Sequence, residues 1–162
     1  DKTDFWRKTH YGFVRDNGHF LGLPAPENFT ATLRFEAAYK TLYDQAGLML
    51  RIDDAHWLKF GVEHSDGLTN FSIVVTDEQS DWSVVAQPLV SGLQTVRLTR
   101  KSDTVIAHFR NATDEWQLMR VAPFPKGPAN IGPMTCTPER SGLTATFRDL
   151  YISNPIDNAL HT

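Results

Sequence analysis

Residues Tyr43 to Trp82 read YDQAGLMLRIDDAHWLKFGVEHSDGLTNFSIVVTDEQSDW, and this stretch decides the fold. It holds strand-like runs separated by turn chemistry. In Trp57–Glu63 (WLKFGVE), alternation sends Leu58, Phe60 and Val62 to one side and Trp57, Lys59, Gly61 and Glu63 to the other. The first set is core. The second is too aromatic and too mixed for a plain solvated face, so it is the candidate binding surface. One run earlier, Ala46, Leu48, Leu50 and Ile52 point inward, with Gln45, Gly47, Met49 and Arg51 outward. Asp53-Asp-Ala-His56 is a hairpin connection of common length, and Ser65-Asp-Gly67 is a second turn.

The same logic extends in both directions. Phe29–Ala37 alternates Phe29, Ala31, Leu33, Phe35 and Ala37 against Thr30, Thr32, Arg34 and Glu36, a half-buried antiparallel strand. Asp4–Arg15 is rich in aromatics without a helical period and reads as a strand, a turn and a strand, followed by the tight turn Asp16-Asn-Gly18. Tyr39–Asp44 is expected to form one helical turn. After Ser80-Asp-Trp82 a strand runs to Gln87, a loop covers Pro88–Gly92, and strands follow at Thr95–Arg100, Thr104–Arg110 and Trp116–Val121. Ala122–Pro133 is so rich in proline and glycine that a long irregular loop is expected, with a short edge strand at Met134–Pro138. Leu143–Ile152 is the last strand. About ten to twelve short strands with no long helix mean an all-β, two-sheet antiparallel jelly-roll sandwich. The 162 residues are expected to form a single domain, with a core over 4–152 and a C-terminal tail at 153–162.

Composition limits the function. A net charge of −3 and a pI near 6.1 offer no basic footprint for a nucleic acid or a membrane surface. The single cysteine, Cys136, excludes an internal disulfide framework and fits a cytoplasmic location. The six histidines show no zinc spacing, and no nucleophile elbow or phosphate-cradling glycine loop is present. No cofactor is expected. A structural calcium ion would have Asp4, Asp44 and Asp81 as its candidate carboxylates, although each also suits a cap or turn acceptor.

Asp4-Phe-Trp6, Tyr11-Gly12, Asp16-Asn-Gly-His-Phe20, Tyr43-Asp-Gln-Ala-Gly47, Trp57-Leu-Lys59, Val62-Glu63, Ser80-Asp-Trp82 and Phe147 together resemble the DUF1349 family. That family is also described as "regulation of enolase protein"-like, within the concanavalin A-like lectin/glucanase superfamily. The resemblance runs from about Asp4 to Ile152 and implies a jelly roll with one concave sheet. Family members carry a further Trp- and Pro-containing stretch before the Asp-Phe-Trp motif, so an edge strand is expected to be missing here.

Fold does not fix function, and the residues must carry the rest. Tyr43, Gln45, Trp57, Lys59, Glu63, Trp82 and Arg120 are of the types that hold a saccharide or small polar ligand: flat rings for C–H faces, amides and charges for hydroxyls. The bland alternative has Trp57 and Trp82 capping the core while Lys59 and Glu63 form cross-strand ion pairs. As an enzyme, the protein would act on a glycoside with Glu63 as acid or base and Lys59 tuning it. Retaining glucanases of this superfamily place two carboxylates about 5–5.5 Å apart on one strand face. This chain offers Lys59 and Glu63 instead, about 13 Å apart by strand rise. A third reading is a regulatory domain that binds another protein.

Overall fold

The computed structural model describes residues 1–87 and 92–161, so most of the loop expected at Pro88–Gly92 lies outside them. Among the described residues every regular element is a strand. They are β1 Phe5–Arg7, β2 Val14–Asp16, β3 His19–Phe20, β4 Leu23–Ala25, β5 Phe29–Ala37, β6 Gln45–Arg51 and β7 His56–Ser65. The second half supplies β8 Leu68–Asp77, β9 Gln79–Ala86, β10 Gln94–Lys101, β11 Thr104–Arg110, β12 Trp116–Pro123, β13 Ala129–Cys136 and β14 Ala145–Ser153. No described helix is long and apolar enough to cross a membrane.

Two antiparallel sheets stack. One has the order β12-β11-β10-β5-β14; the other runs β3-β13-β6-β7-β8-β9, with β4 also paired to β13. The inward residues of β5 (Phe29, Ala31, Leu33, Phe35), with Val96, Leu98 and Phe109, pack against Leu48, Leu50, Leu58, Phe60, Phe71 and Ile73. The rings of Phe71 and Phe109 stack across the interface at 4.2 Å between centroids. Alternation therefore identifies the inward faces of β5, β6 and β7 correctly, and the sandwich is the expected one.

Several local expectations are corrected. Tyr39–Asp44 is not a helical turn: Asp44 Oδ2 accepts the backbone N–H groups of Lys40 and Thr41, and Tyr43 sits at φ 65°. The segment expected as an irregular loop carries β13, which is flanked by β6 on one side and β3 and β4 on the other. Pro133 is tolerated inside it because its carbonyl, and therefore its missing N–H, faces the break between β3 and β4. There the carbonyl accepts from Leu21 N–H. Gly132 makes that approach possible, since a Cβ there would stand 1.8 Å from the Leu21 carbonyl oxygen. The expected tail is held down: Ile156 N–H donates to Thr30 Oγ1, and Ala159 is buried.

The two-stranded sheet β1–β2 belongs to neither layer of the sandwich. It lies on the outer face of the seven-stranded sheet, where Phe5 joins Met49, Trp57, Val74, Met134 and Cys136 in a second, smaller apolar cluster. Asn17 and Gly18 close the far end of this hairpin by donating their backbone N–H groups to the Asp4 carbonyl.

Candidate functional site

The outward face of β7 starts the site. Trp57, Lys59, Gly61 and Glu63 do share that face, but the N-terminal hairpin covers its first half. Trp57 is 1% exposed, its ring tilted against Phe5 at 6.0 Å and its Nε1 donating to Asp54 O. Trp57 is thus a core residue of the second cluster, not part of an open groove. The reason is simple: a strand face rich in apolar rings attracts any amphipathic segment that can cover it, and β1 supplies that segment.

Lys59 is also enclosed. Its Nζ donates to the Phe5 carbonyl at 2.7 Å and reaches Asp4 Oδ1 at 3.3 Å. Burial works against the ammonium, but Asp4, with Cys136 and Glu63 adding to it, holds the Lys59 pKa above its ordinary value. Burial pushes the nearby Cys136 thiol up to about 12, so it stays protonated and inert.

Glu63 lies across from Gln45 on β6 and Asn70 on β8, and is 5% exposed. Its Oε1 is buried without a hydrogen-bond partner. Burial raises its pKa to about 7, with Lys59 opposing and Asp4 assisting. In the enzyme reading Lys59 tunes Glu63; it does draw the Glu63 pKa down, but its ammonium is engaged by Asp4 and the Phe5 carbonyl, and burial prevails. Between Lys59 and Glu63 the floor is low. Gly61 faces Gly47 so closely that a Cβ on either would stand 2.6 Å from the other's Cα. The two glycines mark a close approach in unbroken register, not a bulge.

Above this floor is a pocket of about 140 Å³. Tyr43, Gln45, Lys59, Glu63 and Trp82 line it, so five of the seven expected residues come together. Trp82, 41% exposed, forms a wall from β9 and anchors its Nε1 on Ser72 Oγ. The Tyr43 and Tyr11 hydroxyls are 3.0 Å apart, and that hydrogen bond, with burial, raises the Tyr43 pKa to about 12. Arg120 is elsewhere. It reaches from β12 to Asp81 and Ser83 of β9, closing one edge of the sandwich between the two sheets.

The roof was not assigned from sequence. Asp4, Trp6, Tyr11 and Phe13 come from the hairpin, with Pro138 and Glu139 from the segment after β13. The aromatic density of residues 4–15 was the available signal; nothing in the sequence pointed to 138 and 139. Tyr11 stacks on Phe13 at 5.2 Å, and Trp6 meets Tyr11 edge-on at 5.9 Å.

The three carboxylates considered for calcium are engaged separately: Asp4 with Lys59, Asp81 with Arg120, and Asp44 with Arg140. Among the described residues no three His, Cys, Asp or Glu side chains gather as a metal ion would require. Asp44 is fully buried. Burial alone would raise its pKa, but hydrogen bonds from Arg140, Thr137, Thr41 and Lys40 hold it below the ordinary carboxylate value. A broader cleft of about 570 Å³ lies at the rim by Asp103 and Pro123, and none of its lining residues has a buried polar atom without a partner.

A yeast protein named "Regulation of enolase protein 1" (Saccharomyces cerevisiae, strain ATCC 204508 / S288c) is 46% identical over 162 residues, covering 99% of this chain and 82% of its own. A crystal structure described as a functionally unknown protein from Saccharomyces cerevisiae superposes with a TM-score of 0.92 at 45% identity. The match covers 96% of this chain and 85% of that one. A Bacteroides ovatus protein described as "Xyloglucan PUL GH43B" shares the fold at a TM-score of 0.65 and 17% identity, over 91% of this chain and 34% of that one. The family model described as "Protein of unknown function (DUF1349)" matches residues 1–155, and with these relatives the chain belongs to the DUF1349 family.

Proposed function

We propose that the protein is a binding module that takes one small unit, a sugar ring or the polar end of a small molecule, in the pocket beneath its N-terminal hairpin. The observation that carries this is Glu63 Oε1, buried and without a partner in a pocket walled by aromatic rings. A buried polar atom left unpaired costs about 1–3 kcal/mol, which a ligand donor would recover. At about 140 Å³ the pocket is smaller than the ~300–1,000 Å³ of sites for drug-sized ligands, so it suits a small unit.

A thermal-shift screen of sugars and small polar compounds, with a glycan array beside it, tests the reading. A ligand should raise the melting temperature by mass action, and Trp82→Ala should abolish the shift. A screen without shifts, or shifts that Trp82→Ala leaves untouched, would overturn it.

The pKa of Glu63, near 7, also suits general acid–base work, which favours a glycoside-acting enzyme as the second reading. Loss of turnover in Glu63→Gln would support it; unchanged turnover would remove it. The yeast relative's name supports contact with a regulated protein as a further role, tested by titrating purified enolase against this chain; absence of any binding signal would dismiss it. A cytoplasmic location accords with the lone, unbridged Cys136, and a fluorescent fusion found outside the cytoplasm would refute it.

A further inference from the structure

The pocket's polar groups are unevenly engaged. Its donors are largely committed inside the protein: Trp6 Nε1 to the Thr9 carbonyl, Trp82 Nε1 to Ser72 Oγ, and Gln45 Nε2 to the Tyr43 carbonyl. Lys59 directs Nζ to Asp4 and the Phe5 carbonyl. Tyr11 and Tyr43 use one of their two hydroxyl hydrogens on each other, which leaves a single O–H to donate. What remains for a ligand is mainly acceptor and π-face, with that one hydroxyl hydrogen: Glu63 Oε1 without a partner, the exposed carboxylate of Glu139, and the rings of Trp6, Tyr43 and Trp82, the Phe13 ring being taken by Tyr11 and Arg15.

A neutral sugar needs donors as well as acceptors, since each hydroxyl both gives and takes a hydrogen bond. An alkylated ammonium needs neither. It is drawn to ring faces by their negative quadrupole and to a carboxylate by charge. The charge balance points the same way. Lys59 and Asp4 neutralise each other, so the titratable groups left at the pocket are the carboxyls of Glu63 and Glu139 and the two tyrosine hydroxyls.

Resting on the small-ligand reading above, we infer that the pocket recognises an alkylated ammonium group, held by the aromatic walls with Glu63 as its counter-ion. A cation entering here meets the Glu63 carboxyl with no other cationic partner than the already paired Lys59. The rings exclude water from the pair, which strengthens the attraction.

The test compares choline with 3,3-dimethyl-1-butanol, its uncharged carbon isostere, by isothermal titration and melting-temperature shift on the intact chain. Glucose serves as the neutral sugar probe. Choline should bind and the isostere should bind about tenfold more weakly or not at all. Glu63→Gln and Trp82→Ala should each weaken choline binding about tenfold, with circular dichroism confirming that both variants fold. Equal binding of choline and the isostere would overturn recognition of charge. Choline binding that survives both substitutions would place it elsewhere and overturn the site. If choline fails to bind while glucose binds in a manner lost with Trp82→Ala, the ammonium inference falls and the ligand-binding reading stands. If neither probe binds, the ammonium inference falls, and the wider sugar and small-compound screen decides the other reading by itself.

Discussion

Lys59 and Glu63 stand four residues apart on the same face of β7, both buried, yet Lys59 directs its ammonium to Asp4 and the Phe5 carbonyl rather than to Glu63. The two groups are therefore in different electrostatic situations. Lys59 keeps its charge because a carboxylate and a carbonyl meet it. Glu63 keeps its proton to about neutrality because Lys59 offsets its burial only in part.

This has a consequence for stability against pH. The folded Glu63 pKa is raised from 4.5 to about 7, so between those values the folded state binds more protons than the unfolded chain. Stability from this group is fully present below about 4.5, declines as pH rises, and is gone above about 7, a loss on the order of 3 kcal/mol. Glu63→Gln should flatten that decline. Urea unfolding at several values across this window reads it, and parallel profiles for the two proteins would refute the assignment.

Trp57 and Trp82 should separate cleanly. Trp57 is sealed against Phe5, so Trp57→Ala should cost about 3–5 kcal/mol, as other large core truncations do. Trp82 is 41% exposed at the pocket wall, and Trp82→Ala should cost within about 1 kcal/mol while altering ligand response. Equal losses in denaturant midpoint would contradict the placement of Trp57 in a second core.

Gly61 offers a third check. A Cβ there would lie 2.1 Å from the Ala46 carbonyl oxygen, which the paired strand cannot yield without breaking its ladder. Gly61→Ala should destabilise by ~3 kcal/mol or more. Gly67, at φ 76° with open space around it, carries only backbone strain, and Gly67→Ala should cost about 1–2 kcal/mol. Melting temperatures of the two variants decide it; similar shifts would show that strand proximity is not what selects glycine at 61.

Period-two alternation was enough to orient β5, β6 and β7, because inward and outward residues there differ sharply. It could not say what lies over an outward face. Trp57 and Glu63 follow the same alternation, yet one is roofed by Phe5 and the other opens to a pocket. Arg120 has the right chemistry for a binding groove, but its partner Asp81 is on the opposite sheet, a relation that only the stacking creates. Strand β13 was hidden because Pro133 and Gly132 read as loop-formers, while the gap between β3 and β4 that accommodates them is a tertiary feature. The roof residues Trp6, Tyr11 and Phe13 are some fifty positions from Glu63 in the chain, beyond the reach of any local pattern.

The ladder of β1 and β2 joins neither main sheet, and its hold on β9 is narrow: Arg7 N–H to Ser80 Oγ, with the Arg7 side chain at Glu78. The flap is tied to the outer face of the seven-stranded sheet by Phe5 in the second cluster, by Lys59 at Asp4 and the Phe5 carbonyl, and by the Arg51–Asp16 pair. It can therefore lift only as a cooperative unit that gives up that cluster. When it lifts, Lys59 and Glu63 become wet together, and the cavity ceases to exist as a cavity. Occupancy and closure are then two views of one equilibrium: whatever steadies residues 4–13 prepares the receptor, and whatever fills the receptor slows amide exchange in those same residues.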